Sequence, residues 1–135
     1  MKSTRWQAGW LSALVVAGVV GVAAARETSA GARELAAADS DAAREDWPEA
    51  IAHARAAAES AVPASPWPER GFRRLESIGR DATARGDEPT ARLAFAAMRT
   101  AALETRSLWS DRADWLDRAE QGLSHLAAPP PGAGH

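Results

Sequence analysis

The sequence predicts an all-α protein: an N-terminal single transmembrane helix followed by a small domain of about five short helices. Three observations carry this. Residues 6–25 form one uncharged apolar run, and beyond it large apolar residues recur at spacings of three and four, the period of a helix. No run of alternating β-branched residues is present to form a strand.

Composition narrows the function classes. A chain of 135 residues has room for one domain. It has no Cys, which excludes disulfides, thiolate zinc sites, cysteine nucleophiles and lipidated cysteines. It has 34 alanines, no Asn, and Lys2 as the only lysine among 16 basic residues, a bias expected of a GC-rich bacterial genome. The net charge of −2 is too balanced for a nucleic-acid footprint, so no nucleic-acid partner is expected.

Residues 1–5 form a short basic tail carrying Lys2 and Arg5. Trp6 to Ala25 then supplies 20 residues without a charge, about the length that crosses a bilayer core, with Trp6 and Trp10 near its start where interfacial rings sit. One reading is an uncleaved signal anchor: a single-pass helix in the inner (cytoplasmic) membrane, in contact with lipid, with the C-terminal domain extracytoplasmic. The other is a cleaved signal with Ala23 and Ala25 as its small residues, which gives a periplasmic or secreted protein processed near Ala25. Gly9, Ala13, Ala17, Gly21 and Ala25 recur every four residues, a ridge that would let two copies pair as a homo-oligomer.

The helical domain covers residues 30–126. A first helix is expected over 32–45. Asp46 then stands as N-cap with Pro48 in the first turn and Glu49 three residues on, opening a second helix that runs through 51–61. The proline-rich stretch 62–68 reads as a connector, and a third helix follows over 69–85 with Phe72, Leu75, Ile78 and Ala82 on one face. Gly86 can take the left-handed conformation that closes it, Asp87 can cap the next helix, and Pro89 fits a first turn that needs no amide hydrogen. Ala91, Phe95, Met98 and Ala102 stripe that fourth helix, which runs to about Arg106. Leu116, Ala119, Leu123 and Leu126 stripe a fifth over about 109–126, and 127–135 reads as a disordered tail.

The turn at Glu45-Asp46-Trp47 and the turn at Gly86-Asp87-Glu88 align at an offset of 41 residues, which places Ala50 on Ala91, Ala54 on Phe95 and Ala57 on Met98. With Leu75, Ile78, Gly79, Ala82, Gly86, Ala91 and Phe95 at their spacing, the chain resembles the tetratricopeptide repeat over about two repeats, roughly residues 31–104. In the first copy Ala38, Asp46, Trp47, Ala50 and Ala57 fit, whereas Glu45 replaces the turn glycine and Asp41 stands at an apolar position. Leu103 stands where the family has its closing proline. A small helical bundle with a similar alanine rhythm is the alternative. The resemblance implies a non-catalytic scaffold that holds another protein against the first helix of each repeat. The candidate positions are Arg73, Glu76, Arg80 and Thr83, with Asp39 and Ala42 from the first copy. Arg73 and Arg80 share a helix face and could hold an acidic peptide, or be solvated charges.

No catalytic constellation is legible. Glu49 and His53 share a helix face, but no second such pair completes a metal site, and the serines lack a nucleophile-elbow context. No cofactor or metal is expected, and the chain reads as no enzyme. Of Trp47, Trp67, Trp109 and Trp115, three are expected to fill gaps between alanine-lined helices. Trp67, in the connector, is the candidate for an exposed contact. Alanine faces bury little area, so two hairpins and one further helix predict a domain of marginal stability that acts by docking on another protein in or near the membrane.

Overall fold

The computed structural model describes residues 30–60, 64–106 and 112–128. The basic tail, the 6–25 run, Trp109 and residues 129–135 lie outside them. Among the described residues there are five helices and no strand, which is the all-α class expected. The helices are α1 (30–43), α2 (Trp47–Ala58), α3 (Trp67–Ala84), α4 (Glu88–Glu104) and α5 (Ala113–Ala127). No helix among the described residues is long and apolar enough to cross a membrane.

Several boundaries differ from expectation. The third helix starts at Trp67 rather than after the connector, because Pro68 sits in its first turn, where no amide hydrogen is needed. The second helix stops at Ala58, and the fifth starts at Ala113 and reaches Ala127. Asp87 caps α4 as expected by accepting from the Thr90 amide, 3.2 Å. Asp46 occupies the N-cap of α2 with the same backbone angles, yet its side chain makes no cap hydrogen bond, so the expected capping box is absent.

The two helix–helix turns repeat at an offset of 41. The Glu45 amide donates to the Ala42 carbonyl and the Asp46 amide to the Asp41 carbonyl, at 3.1 and 2.9 Å. The Gly86 amide donates to Thr83 and the Asp87 amide to Ala82, at 3.0 and 2.9 Å. Both pairs are the two bonds of a Schellman close, which needs a left-handed residue after the helix. Glu45 has φ 61° and Gly86 φ 76°. The glutamate therefore adopts the conformation that the glycine reaches without steric cost.

Each helix packs on the next and on the next but one. α2 meets α3 and α4, α3 meets α4 and α5, and α4 meets α5. α1 reaches α2 through Glu34 and His53, and α3 through Asp39 and Arg74. Small residues set the spacing. A Cβ at Gly71 would stand 2.8 Å from both the Ala54 carbonyl oxygen and the Ala58 Cα, so α2 and α3 touch backbone to backbone. The Phe95 ring lies between Gly79 of α3 and Gly122 of α5, where added Cβ atoms would come within 2.8 and 2.6 Å of it. Phe72, Leu75, Ile78 and Met98 are the largest fully buried side chains, and Trp115 joins them from α5. Among the described residues, eleven of the eighteen buried apolar side chains are alanine, so close backbone approach supplies much of the contact.

Candidate protein-docking groove

α3 lies between α1 and α5, and a depression runs along each of its sides. The first, about 520 Å³, lies between α1 and α3 and includes Leu35, Asp39, Trp67, Arg70, Arg73 and Arg74 in its lining. The second, about 330 Å³, lies between α3 and α5 over the Phe95 ring, with Glu76, Arg80, Thr83, Arg118 and His125 around it. The candidate residues read from the sequence divide between the two. Asp39, Trp67 and Arg73 meet at the first, and Glu76, Arg80 and Thr83 at the second.

Trp67 differs from its expected role. It is the first residue of α3, half-buried, with its side chain over Gly31 and the Arg70 guanidinium 4.9 Å from its ring centre. It forms a wall of the first depression and is no free-standing contact. Ala42 turns inward against the core and lies outside the groove. The Thr83 hydroxyl donates to the Gly79 carbonyl at 2.8 Å, an ordinary bond within its own helix.

The arginines are tethered but accessible. Arg73 pairs with Glu69 at 3.3 Å and Arg80 with Glu76 at 2.7 Å, each one turn back along α3, and their side chains are 70% and 71% exposed. Glu69 is 44% exposed, and an exposed pair of this spacing contributes about 0.3–0.5 kcal/mol, so Arg73 can turn to another anion at little cost, whereas Arg80 faces a mostly buried carboxylate. Arg74 meets Asp39 at 3.0 Å. Glu76 is the least exposed carboxylate of the groove, at 13%, and also accepts from Arg118 of α5 at 3.4 Å. Its Oε1 lies near Arg80 but is not aligned for a hydrogen bond, which makes that contact Coulombic.

The balance of charge is local. With Glu69 counted, three arginines face two carboxylates around the first depression, and Arg80 and Arg118 face Glu76 in the second, an excess of one positive charge at each. The groove is therefore a basic strip on a chain of net charge −2. Comparison with protein-family models, with curated proteins and with solved structures returns no match.

A second polar feature lies on the α1–α2 hairpin. His53 Nδ1 is 2.6 Å from Glu34 Oε2, and its Nε2 is 3.5 Å from Asp41 Oδ2. Asp41 is buried and also pairs with Arg44. In the other hairpin Leu75 and Ala82 occupy the equivalent places, so the first hairpin holds a charge cluster where the second holds core. The hydrogen bond that the ring donates to Glu34 raises the His53 pKa above 6.5; partial desolvation opposes this, and the charges of Glu34, Asp41 and Glu49 add to it. Among the described residues no group of three His, Asp or Glu side chains could hold a metal ion.

Sequence reasoning missed Arg70, Arg74, Arg118 and Gly122. The last two were within reach, because Arg118, Gln121 and His125 recur at helical spacing and Gly122 falls within the run of that helix. The side of α3 on which Arg70 and Arg74 lie depends on where α1 docks, which no local pattern encodes.

Proposed function

We propose that the chain is a membrane-anchored, non-catalytic scaffold that binds another protein through the groove flanking α3, as an accessory component of a bacterial cell-envelope assembly. The basic strip along α3, on a chain that is otherwise slightly acidic, is the observation that carries this reading. A strip of exposed guanidinium groups favours carboxylates, which they can meet in bidentate geometry. The tetratricopeptide-like resemblance is consistent with the repeated turn geometry and with helices that pack on their next and next-but-one neighbours. The 6–25 run would hold the domain at the membrane, and a partner sharing that surface would meet the groove at raised effective concentration.

The test is crosslinking and pull-down of the full chain from solubilised membranes, comparing wild type with Arg73→Glu and Arg80→Glu. Loss of the crosslinked protein in both variants supports the groove. A partner retained equally by both variants means that the groove is not the docking surface. Protection of residues 30–128 from added protease in intact cells, lost in spheroplasts, is the outcome expected for an extracytoplasmic domain.

A further inference from the structure

Resting on that groove reading, we infer that the groove's occupant is an extended acidic segment with two apolar side chains four residues apart, one seated on each side of α3, and an acidic side chain midway between them. Each depression has an apolar floor. In the second it is the edge of Phe95, 5% exposed, whose ring packs directly on the backbones of Gly79 and Gly122. In the first, Leu35 supplies the floor beside Trp67.

The spacing follows from helix geometry. Arg73 and Arg80 mark the two depressions and are seven residues apart, about 10 Å along the axis at ~1.5 Å per residue. Crossing from one side of α3 to the other adds about 8–10 Å, the distance between packed helices. The diagonal is roughly 14 Å, which an extended chain spans in about four residues at ~3.3 Å each. Residues i, i+2 and i+4 of an extended chain point to the same face, so both anchors and the residue between them turn toward the protein.

That middle residue lies over the crest of α3. Arg73 and Arg80 lie one turn before and one turn after Ser77, which also lines the first depression and whose hydroxyl donates to Asp81 at 3.3 Å. An acidic side chain at i+2 would draw Arg73 from Glu69 and share Arg80 with Glu76, which Arg118 also pairs. The pattern recognised is apolar-x-acidic-x-apolar.

The experiment measures fluorescence polarisation of labelled twelve-residue peptides against the purified full chain in detergent. The core Leu-Ser-Glu-Ser-Leu is set in a Gly/Ser frame and compared with Leu-Leu-Ser-Glu-Ser and Leu-Ser-Lys-Ser-Leu in the same frame. Ala36→Trp and Gln121→Trp, both at exposed rim positions, fill the first and second depressions without touching the core. The expected result is binding of the first peptide at least tenfold tighter than the other two, weakened about tenfold by either tryptophan, as loss of one buried apolar anchor would do. Equal affinity for Leu-Ser-Glu-Ser-Leu and Leu-Leu-Ser-Glu-Ser overturns the two-anchor inference and leaves the acidic groove standing. Binding unchanged in Arg73→Glu and Arg80→Glu, or absent for every peptide, overturns the groove reading with it.

Discussion

The rings of Phe72 and Trp115 stack with centroids 5.3 Å apart and planes 12° apart, joining α3 to α5 across 43 residues of chain. Trp115 Nε1 donates to Glu69 Oε2 at 3.2 Å, so the buried indole is satisfied as well as packed. The Arg112 and Arg118 guanidinium groups close over the two rings, at 5.2 and 4.8 Å from their centres. Trp115→Ala is therefore expected to lower stability by about 3–5 kcal/mol, the usual range for a buried tryptophan. Trp115→Phe keeps the stack and loses the hydrogen bond, for about 1 kcal/mol. Urea denaturation of the two variants measures this, and comparable losses in both would place the stabilisation in the hydrogen bond alone.

Gly71 makes the other helix contact vulnerable. Its neighbours are backbone atoms of Ala54 and Ala58, which cannot rotate away from an added methyl group. Elsewhere in a helix interior, Gly→Ala stabilises by about 0.5–1 kcal/mol. Here the sign reverses: Gly71→Ala should destabilise by about 1–3 kcal/mol, because α2 and α3 must separate. Gly122→Ala meets a ring rather than backbone, and the expected loss is smaller. Thermal melts followed by circular dichroism rank the two. A Gly71→Ala protein as stable as wild type would mean that the two helices do not approach as closely as the structure has them.

The His53 cluster gives a pH dependence with a definite sign. The folded-state pKa lies above 6.5 because Glu34 accepts a hydrogen bond from the ring and Glu34, Asp41 and Glu49 surround it with negative charge; Arg44, paired with Asp41, is the cation beside them. A group whose pKa is raised by folding binds its proton more tightly in the native state. Its contribution is fully present below pH 6.5 and is lost as pH rises through the folded pKa. His53→Gln should therefore flatten the fall in stability on the alkaline side of pH 6.5. Chemical denaturation across pH 5.5–8.5, together with NMR titration of the imidazole Cε1 proton, reads this out. An unchanged slope in the variant would locate the pH dependence elsewhere.

The helices and their buried stripes were legible because they rest on local rules. Phe72, Leu75, Ile78 and Ala82 recur at helical spacing in the sequence and are buried in the fold. Gly86 and Asp87 act as their residue types imply. The alanine positions were visible too, and they explain how so small a core is assembled by close approach. What stayed hidden depends on tertiary partners. Trp115 fills a gap between alanine-lined helices as its residue type implied, whereas Leu116, Leu123 and Leu126 of the expected α5 stripe are only partly buried. Trp67 looked exposed because Pro66 and Pro68 suggested a connector, whereas Trp67 opens a helix with Pro68 in its first turn. The Asp41 carboxylate looked like a fault in the repeat until His53 and Arg44 were brought to it from elsewhere on the hairpin. Asp39, Arg73, Glu76, Arg80 and Thr83, offered by the tetratricopeptide resemblance, and Trp67, offered by the connector, line the two depressions, but their division between them follows from α1 and α5 packing on opposite sides of α3.

The two turns, alike in their hydrogen bonds and different in one residue, provide the most direct comparison. A non-glycine residue in the left-handed region carries about 1–2 kcal/mol of steric strain. Glu45 carries it at φ 61°, while Gly86 avoids it at φ 76° with open space around its Cα. Glycine also gives the unfolded chain more freedom, which offsets part of the gain by about 0.4–1 kcal/mol. Glu45→Gly should thus stabilise the domain by about 0.5–1 kcal/mol, and Gly86→Ala should destabilise it by about 1 kcal/mol. The Glu45 side chain is exposed, so no lost packing confuses the comparison. Measured together in one denaturation series, the two substitutions should shift the midpoint in opposite directions. Shifts of the same sign would mean that the two turns do not share the left-handed close that their hydrogen bonds describe.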